Sequence, residues 1–184
     1  MKILLGLGVA AVGALGMPAA AGAAAITYDC DTAANHYSEL VLPAPAGPFT
    51  VTGNVKLNAI AASTDYIPVA RVRITTATPP GKSADAAGFS LSAVPTKALP
   101  DGATAVQMLS WNVTGKDDEA LPFSMFAKPG TVQPFRLTYD SGNVAVMLGT
   151  EAKTLRLKAA EPVVQIVCST GEFLFTDVVI QAGR

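Results

Sequence analysis

Residues 163–180 read VVQIVCSTGEFLFTDVVI. Two short apolar runs rich in β-branched and aromatic residues flank Ser169-Thr170-Gly171-Glu172. Runs of that length bounded by small and polar residues read as strands joined by a turn. Cys168 closes the first run, so it is either a reactive thiolate at the mouth of a site or half of a disulfide. The choice depends on the compartment, which the start of the chain addresses.

The chain opens MKILLGLGVAAVGALGMPAAAGAAA, with Lys2 the only charge before Asp29. A basic residue, an apolar stretch from Ile3 to about Met17 and small residues after Pro18 have the order of a secretory signal peptide. We expect residues 1–25 to be that signal and 26–184 to form a single domain. No cysteine sits at the expected cleavage region, and the apolar stretch is short for a membrane span of about 20 residues. The Ala- and Gly-rich composition suggests a bacterial source. A secreted or periplasmic location follows, and there two cysteines normally pair. Cys30 and Cys168, near the two ends of the mature chain, are therefore expected to form a disulfide. In the chain-entropy model a loop of ~100 residues contributes about 4.7 kcal/mol. A catalytic thiolate needs a neighbouring base, and the only histidine is His36, read here as an ordinary surface or strand-edge residue.

Working outward, period-two alternation recurs. In FTVTGNVKL, Phe49, Val51, Val55 and Leu57 face one way and Thr50, Thr52, Asn54 and Lys56 the other, with Gly53 marking a bulge or a close approach. In VARVRIT, Ala70, Val72 and Ile74 point inward, Arg71, Arg73 and Thr75 outward. Residues 135–139 and 144–148 read as a hairpin with a longer loop, followed by 154–158. Weaker candidates are 26–30, 38–42, 87–92 and 104–111. No helix and no β-α alternation appears. About ten short strands broken by turns predict an all-β, antiparallel β-sandwich, jelly-roll-like, with one disulfide. A membrane barrel would carry aromatic girdles, and only 7% of residues are aromatic.

The pattern Gly171-x-Phe173-x-Phe175-x-Asp177-Val178-x-Ile180 resembles the closing strand of concanavalin A-like jelly-roll domains, the lectin/glucanase and laminin-G-like group. FRLTYDSGNVAVMLG before it is similar to their mid-domain strands. The resemblance spans residues 38–180, with the pattern itself in the C-terminal forty or so. It implies a fold, not a ligand.

Chemistry is mostly excluded. The formal net charge of −1 at pH 7 argues against nucleic acid and anionic lipid as partners. One histidine and a bridged cysteine pair cannot supply a zinc site. Serine-hydrolase, phosphate-loop and dinucleotide motifs are absent, so no catalytic residue, cofactor or metal is assigned. Asp117-Asp118-Glu119 could help hold a calcium ion with its clustered oxygens, but it lacks the spacing of a calcium loop and reads first as a solvated turn. Asn112-Val113-Thr114 fits a glycosylation sequon. Two features point to binding. Trp111, the only tryptophan, offers an aromatic face for a sugar ring or a cap for the core. Arg71 and Arg73, side by side on an outward face, could grip carboxylates of an acidic polysaccharide or pair across strands with acidic neighbours. The segment 121–135 is apolar for a loop with Pro and Gly, and folds over the sheet or presents a partner surface. The expected function is that of an exported, non-enzymatic binding or structural module, its ligand a glycan or cell-surface polysaccharide. Two other readings stay open: a polysaccharide-degrading enzyme, or a subunit of an extracellular surface assembly.

Overall fold

The computed structural model describes residues 24–63, 65–77, 85–95, 105–114 and 126–183, with the backbone alone for 95, 105–114 and 126–127. The expected signal segment lies outside them except for Ala24 and Ala25.

Among the described residues the chain forms twelve strands and no helix. They are β1 (Ile26–Asp31), β2 (Tyr37–Pro43), β3 (Phe49–Ile60), β4 (Val69–Thr76), β5 (Ala86–Pro95), β6 (Ala105–Thr114), β7 (Phe126–Ala127), β8 (Gln133–Asp140), β9 (Asn143–Leu148), β10 (Glu151–Arg156), β11 (Pro162–Ser169) and β12 (Gly171–Ala182). Two six-stranded antiparallel sheets result, ordered β1-β12-β3-β8-β9-β10 and β2-β11-β4-β5-β6-β7. Each sheet mixes strands from both ends of the chain, as a jelly roll does.

The inner faces carry the alternation. Phe49, Val51, Val55 and Leu57 of β3 are fully buried against Ala70, Val72 and Ile74 of β4 and Val164, Ile166 and Cys168 of β11. Phe89 and Phe135 meet across the interior with ring centroids 5.7 Å apart. Burying each such side chain is worth roughly 1.5–3 kcal/mol. Gly53 serves both expected purposes: a Cβ there would lie 2.6 Å from the Phe135 ring, and it faces a bulge in β12. The register passes from Thr176↔Asn54 to Val179↔Thr52, so Asp177 and Val178 together oppose Gly53.

That bulge resolves a conflict in the opening stretch. Unbroken alternation from Gly171 through Phe173 and Phe175 would turn Asp177 into the core. Asp177 instead adopts φ 53°, the left-handed conformation that Asp tolerates, and lies exposed while Val178 is buried. One extra residue moves the apolar set to the even positions and keeps the carboxylate in water.

Cys30 in β1 and Cys168 in β11 form the expected disulfide. Because β1 and β11 belong to different sheets, the bond joins the two layers across a buried seam. The expected turn at 169–172 is compressed to Thr170 (φ 59°), which hands the chain from one sheet to the other. The 140–143 loop is likewise shorter than expected: Asp140 pairs with Asn143, leaving Ser141 and Gly142, both at positive φ, as a two-residue turn whose twist matches the strands. Thr75, expected outward, is buried, with its hydroxyl donating to Asp85 O at 2.9 Å.

Candidate binding groove on the outer face of β2, β11 and β4

Alternation that sends Ala70, Val72 and Ile74 inward sends Val69, Arg71 and Arg73 outward. The same rule on β11 sends out Gln165, Val167 and Ser169, and on β2 Tyr37 and Glu39. The register sets Arg73 beside Gln165 and Arg71 beside Val167, with Glu39 on the far side of Val167. These side chains floor a groove of about 540 Å³ that is also lined by Asp65, Tyr66 and Ile67 from the loop between β3 and β4. Its volume lies within the range typical of small-ligand sites.

The polar floor is ordered in a chain. Arg73 Nε donates to Gln165 Oε1, and Gln165 Nε2 donates to Glu39 Oε1. Arg71 Nε donates to Ser90 Oγ at 3.2 Å. Burial and the neighbouring Arg71 guanidinium lower the Arg73 pKa, and Glu39 opposes them. The aromatic end is open: Tyr37 is 74% and Tyr66 62% exposed, and among the described residues neither hydroxyl has a hydrogen-bond partner.

The start of β2, which carries Tyr37, and the loop that carries Tyr66 are pinned at the crossing between sheets. Ser63 Oγ accepts from the backbone N–H of Asp65 and of Tyr66, both at 3.1 Å, and donates to Asn35 Oδ1 at 2.5 Å. Thr170 N donates to His36 O at 3.1 Å, and Ala61 N donates to Thr170 O at 3.3 Å. Thr32 Oγ1 donates to Gly171 O at 2.9 Å. The segment 163–180 thus contributes the groove floor through β11 and anchors its walls through Thr170.

Of the residues singled out in the sequence, Arg71 and Arg73 lie together on the groove floor. Trp111 stands in register with Phe89, which itself faces Val72; Arg71 and Arg73 stand in register with Ser90 and Gly88. Trp111 therefore occupies a row alternate to those of the arginines, and its side chain is outside the described set. Asn112–Thr114 end β6, while Asp117-Asp118-Glu119 and residues 121–125 of the apolar segment 121–135 lie outside the described residues; the rest of that segment is not all loop, since Phe126–Ala127 form β7 and 133–135 open β8. His36 is exposed, its Nδ1 2.9 Å from Ala34 O. No group of three or more His, Cys, Asp or Glu among the described residues is placed to hold a metal ion. The tyrosines, Glu39 and Gln165 carried no signal of their own in the sequence; the alternation of VVQIVC put Gln165 outward without naming its neighbour.

No family model matches the chain, and no curated protein sequence matches it. Solved structures do. The carbohydrate recognition domain of Emp46p in its potassium-bound form superposes with a TM-score of 0.53 at 12% identity, covering 87% of this chain and 89% of that one. A functionally unknown protein from Saccharomyces cerevisiae superposes with a TM-score of 0.52 at 9% identity, with the same coverage. The likeness establishes the fold: a β-sandwich of the concanavalin A-like jelly-roll type.

Proposed function

We propose that the protein is an exported glycan-binding module and that the groove over β2, β11 and β4 is its binding site. The observation that carries this reading is the pairing of two exposed tyrosines with an ordered Arg–Gln–Glu floor. Aromatic faces stack on sugar rings, and planar amide and guanidinium groups take hydroxyl pairs. Side chains held on strands lose little freedom on binding. The buried disulfide supports an oxidising compartment, and the expected signal segment supplies the route to it. A glycan array read with wild-type protein and with Tyr66→Ala tests the reading. Binding that the substitution abolishes supports it; silence across the array, or binding that survives Tyr37→Ala and Tyr66→Ala together, overturns it.

Glu39 and Asp65 both line the groove, so cleavage of a bound glycan is a second reading, since glycosidic hydrolysis uses two carboxylates. Release of reducing ends from a bound polysaccharide, lost in Asp65→Asn, would favour it. Unchanged polymer length would remove it.

A further inference from the structure

We propose that the glycan is a polyuronate and that Arg71 is the residue that grips its carboxylate; this rests on the glycan-binding reading above. The two guanidinium groups rise from one face of β4 at positions two apart, about 7 Å along the strand. Their surroundings differ. Arg73 is held by Gln165, whose amide is held in turn by Glu39. Arg71 spends its Nε on Ser90, a neutral acceptor, and among the described residues it has no carboxylate partner. The two terminal nitrogens of Arg71 thus form an edge on the floor suited to a bidentate carboxylate, outside the hydrogen-bonded chain that joins Arg73 to Gln165 and Glu39.

The floor also carries like-charge repulsion between the two guanidinium groups, which Glu39 opposes. Burial first, and Arg71 second, lower the Arg73 pKa, while Glu39 acts the other way. A carboxylate bound at Arg71 would offset that repulsion. Glu39 and Asp65 also line the groove, so the attraction is local to Arg71 and not a net field. The tyrosines select a sugar over a bare anion: a uronate residue brings a ring for Tyr37 or Tyr66 and a carboxylate for Arg71 in one unit.

The test uses the mature protein and three polyuronates (polygalacturonate, polymannuronate and polyguluronate), each as free acid and as methyl ester, followed by calorimetry. Esterification keeps the sugar and removes the charge. At least one free acid is expected to bind about tenfold or more tightly than its ester, as loss of a charged hydrogen-bond pair requires. Arg71→Ala should bind acid and ester alike, and Arg71→Lys should restore only part of the difference, because an ammonium lacks the planar fork. Equal affinity for acid and ester, or binding confined to neutral or sulfated glycans on the array, overturns the carboxylate proposal and leaves the glycan reading standing. Silence toward every glycan overturns both.

Discussion

The outer faces of the two sheets follow the same period-two rule and end differently. On the sheet containing β12, β3 and β8, polar side chains satisfy one another across strands: Thr50 with Thr138 at 3.2 Å, Asn54 with Asp177 at 3.1 Å, Asn58 with Glu172 at 2.8 Å. The depression there is about 290 Å³, beside Arg136, Met147 and Lys153, and no aromatic ring lines it. On the sheet containing β2, β11 and β4, the groove is larger, two tyrosine rings stand open, and among the described residues Arg71 donates to a hydroxyl and to no carboxylate. A strand's outer face becomes a site where its polar groups are ordered by neighbours but not used up by them.

The two faces share one core, so the largest effect should strike both. Phe135→Ala removes the ring that fills the space at Gly53 and meets Phe89. It should cost about 3–5 kcal/mol, read as a lower denaturant midpoint, with binding lost in proportion to unfolding. Replacing Cys30 and Cys168 together by serine releases the seam between the sheets and should cost about 2–5 kcal/mol. An unchanged melting temperature after that replacement would contradict the role given to the bond. Arg71→Ala separates the faces: polyuronate affinity should fall about tenfold while the melting temperature holds. Thr50→Val is its counterpart on the closed face. It should lose about 0.5–1.5 kcal/mol of stability and leave binding untouched; a comparable loss of affinity would erase the distinction between the faces.

How far the sequence carried this is visible residue by residue. Alternation alone set Val51, Val72 and Ile74 inside and Arg71 and Arg73 outside, because one buried face forces period two. Export chemistry paired Cys30 with Cys168. The phase slip at Asp177 was hidden, since a bulge is a property of two strands, and a single strand shows only its own alternation. The loop at Ser141-Gly142 was read too long for the same reason: its length is fixed by the Asp140–Asn143 pair. The groove was least legible. Gln165 lies 92 positions from Arg73, and Glu39 lies 126 from Gln165; only the jelly-roll strand order makes them neighbours. Tyr37 and Tyr66 come to line one groove only because Thr170 and Ser63 tie the start of β2 and the β3–β4 loop together.

The central claim is that the β2–β11–β4 face binds glycan and the opposite face does not. A backbone amide chemical-shift titration with the tightest-binding polyuronate oligosaccharide tests it most directly. The account predicts shifts clustered at residues 37–39, 65–73 and 165–169, with 50–54 and 136–147 still. Shifts centred on the latter segments would contradict it.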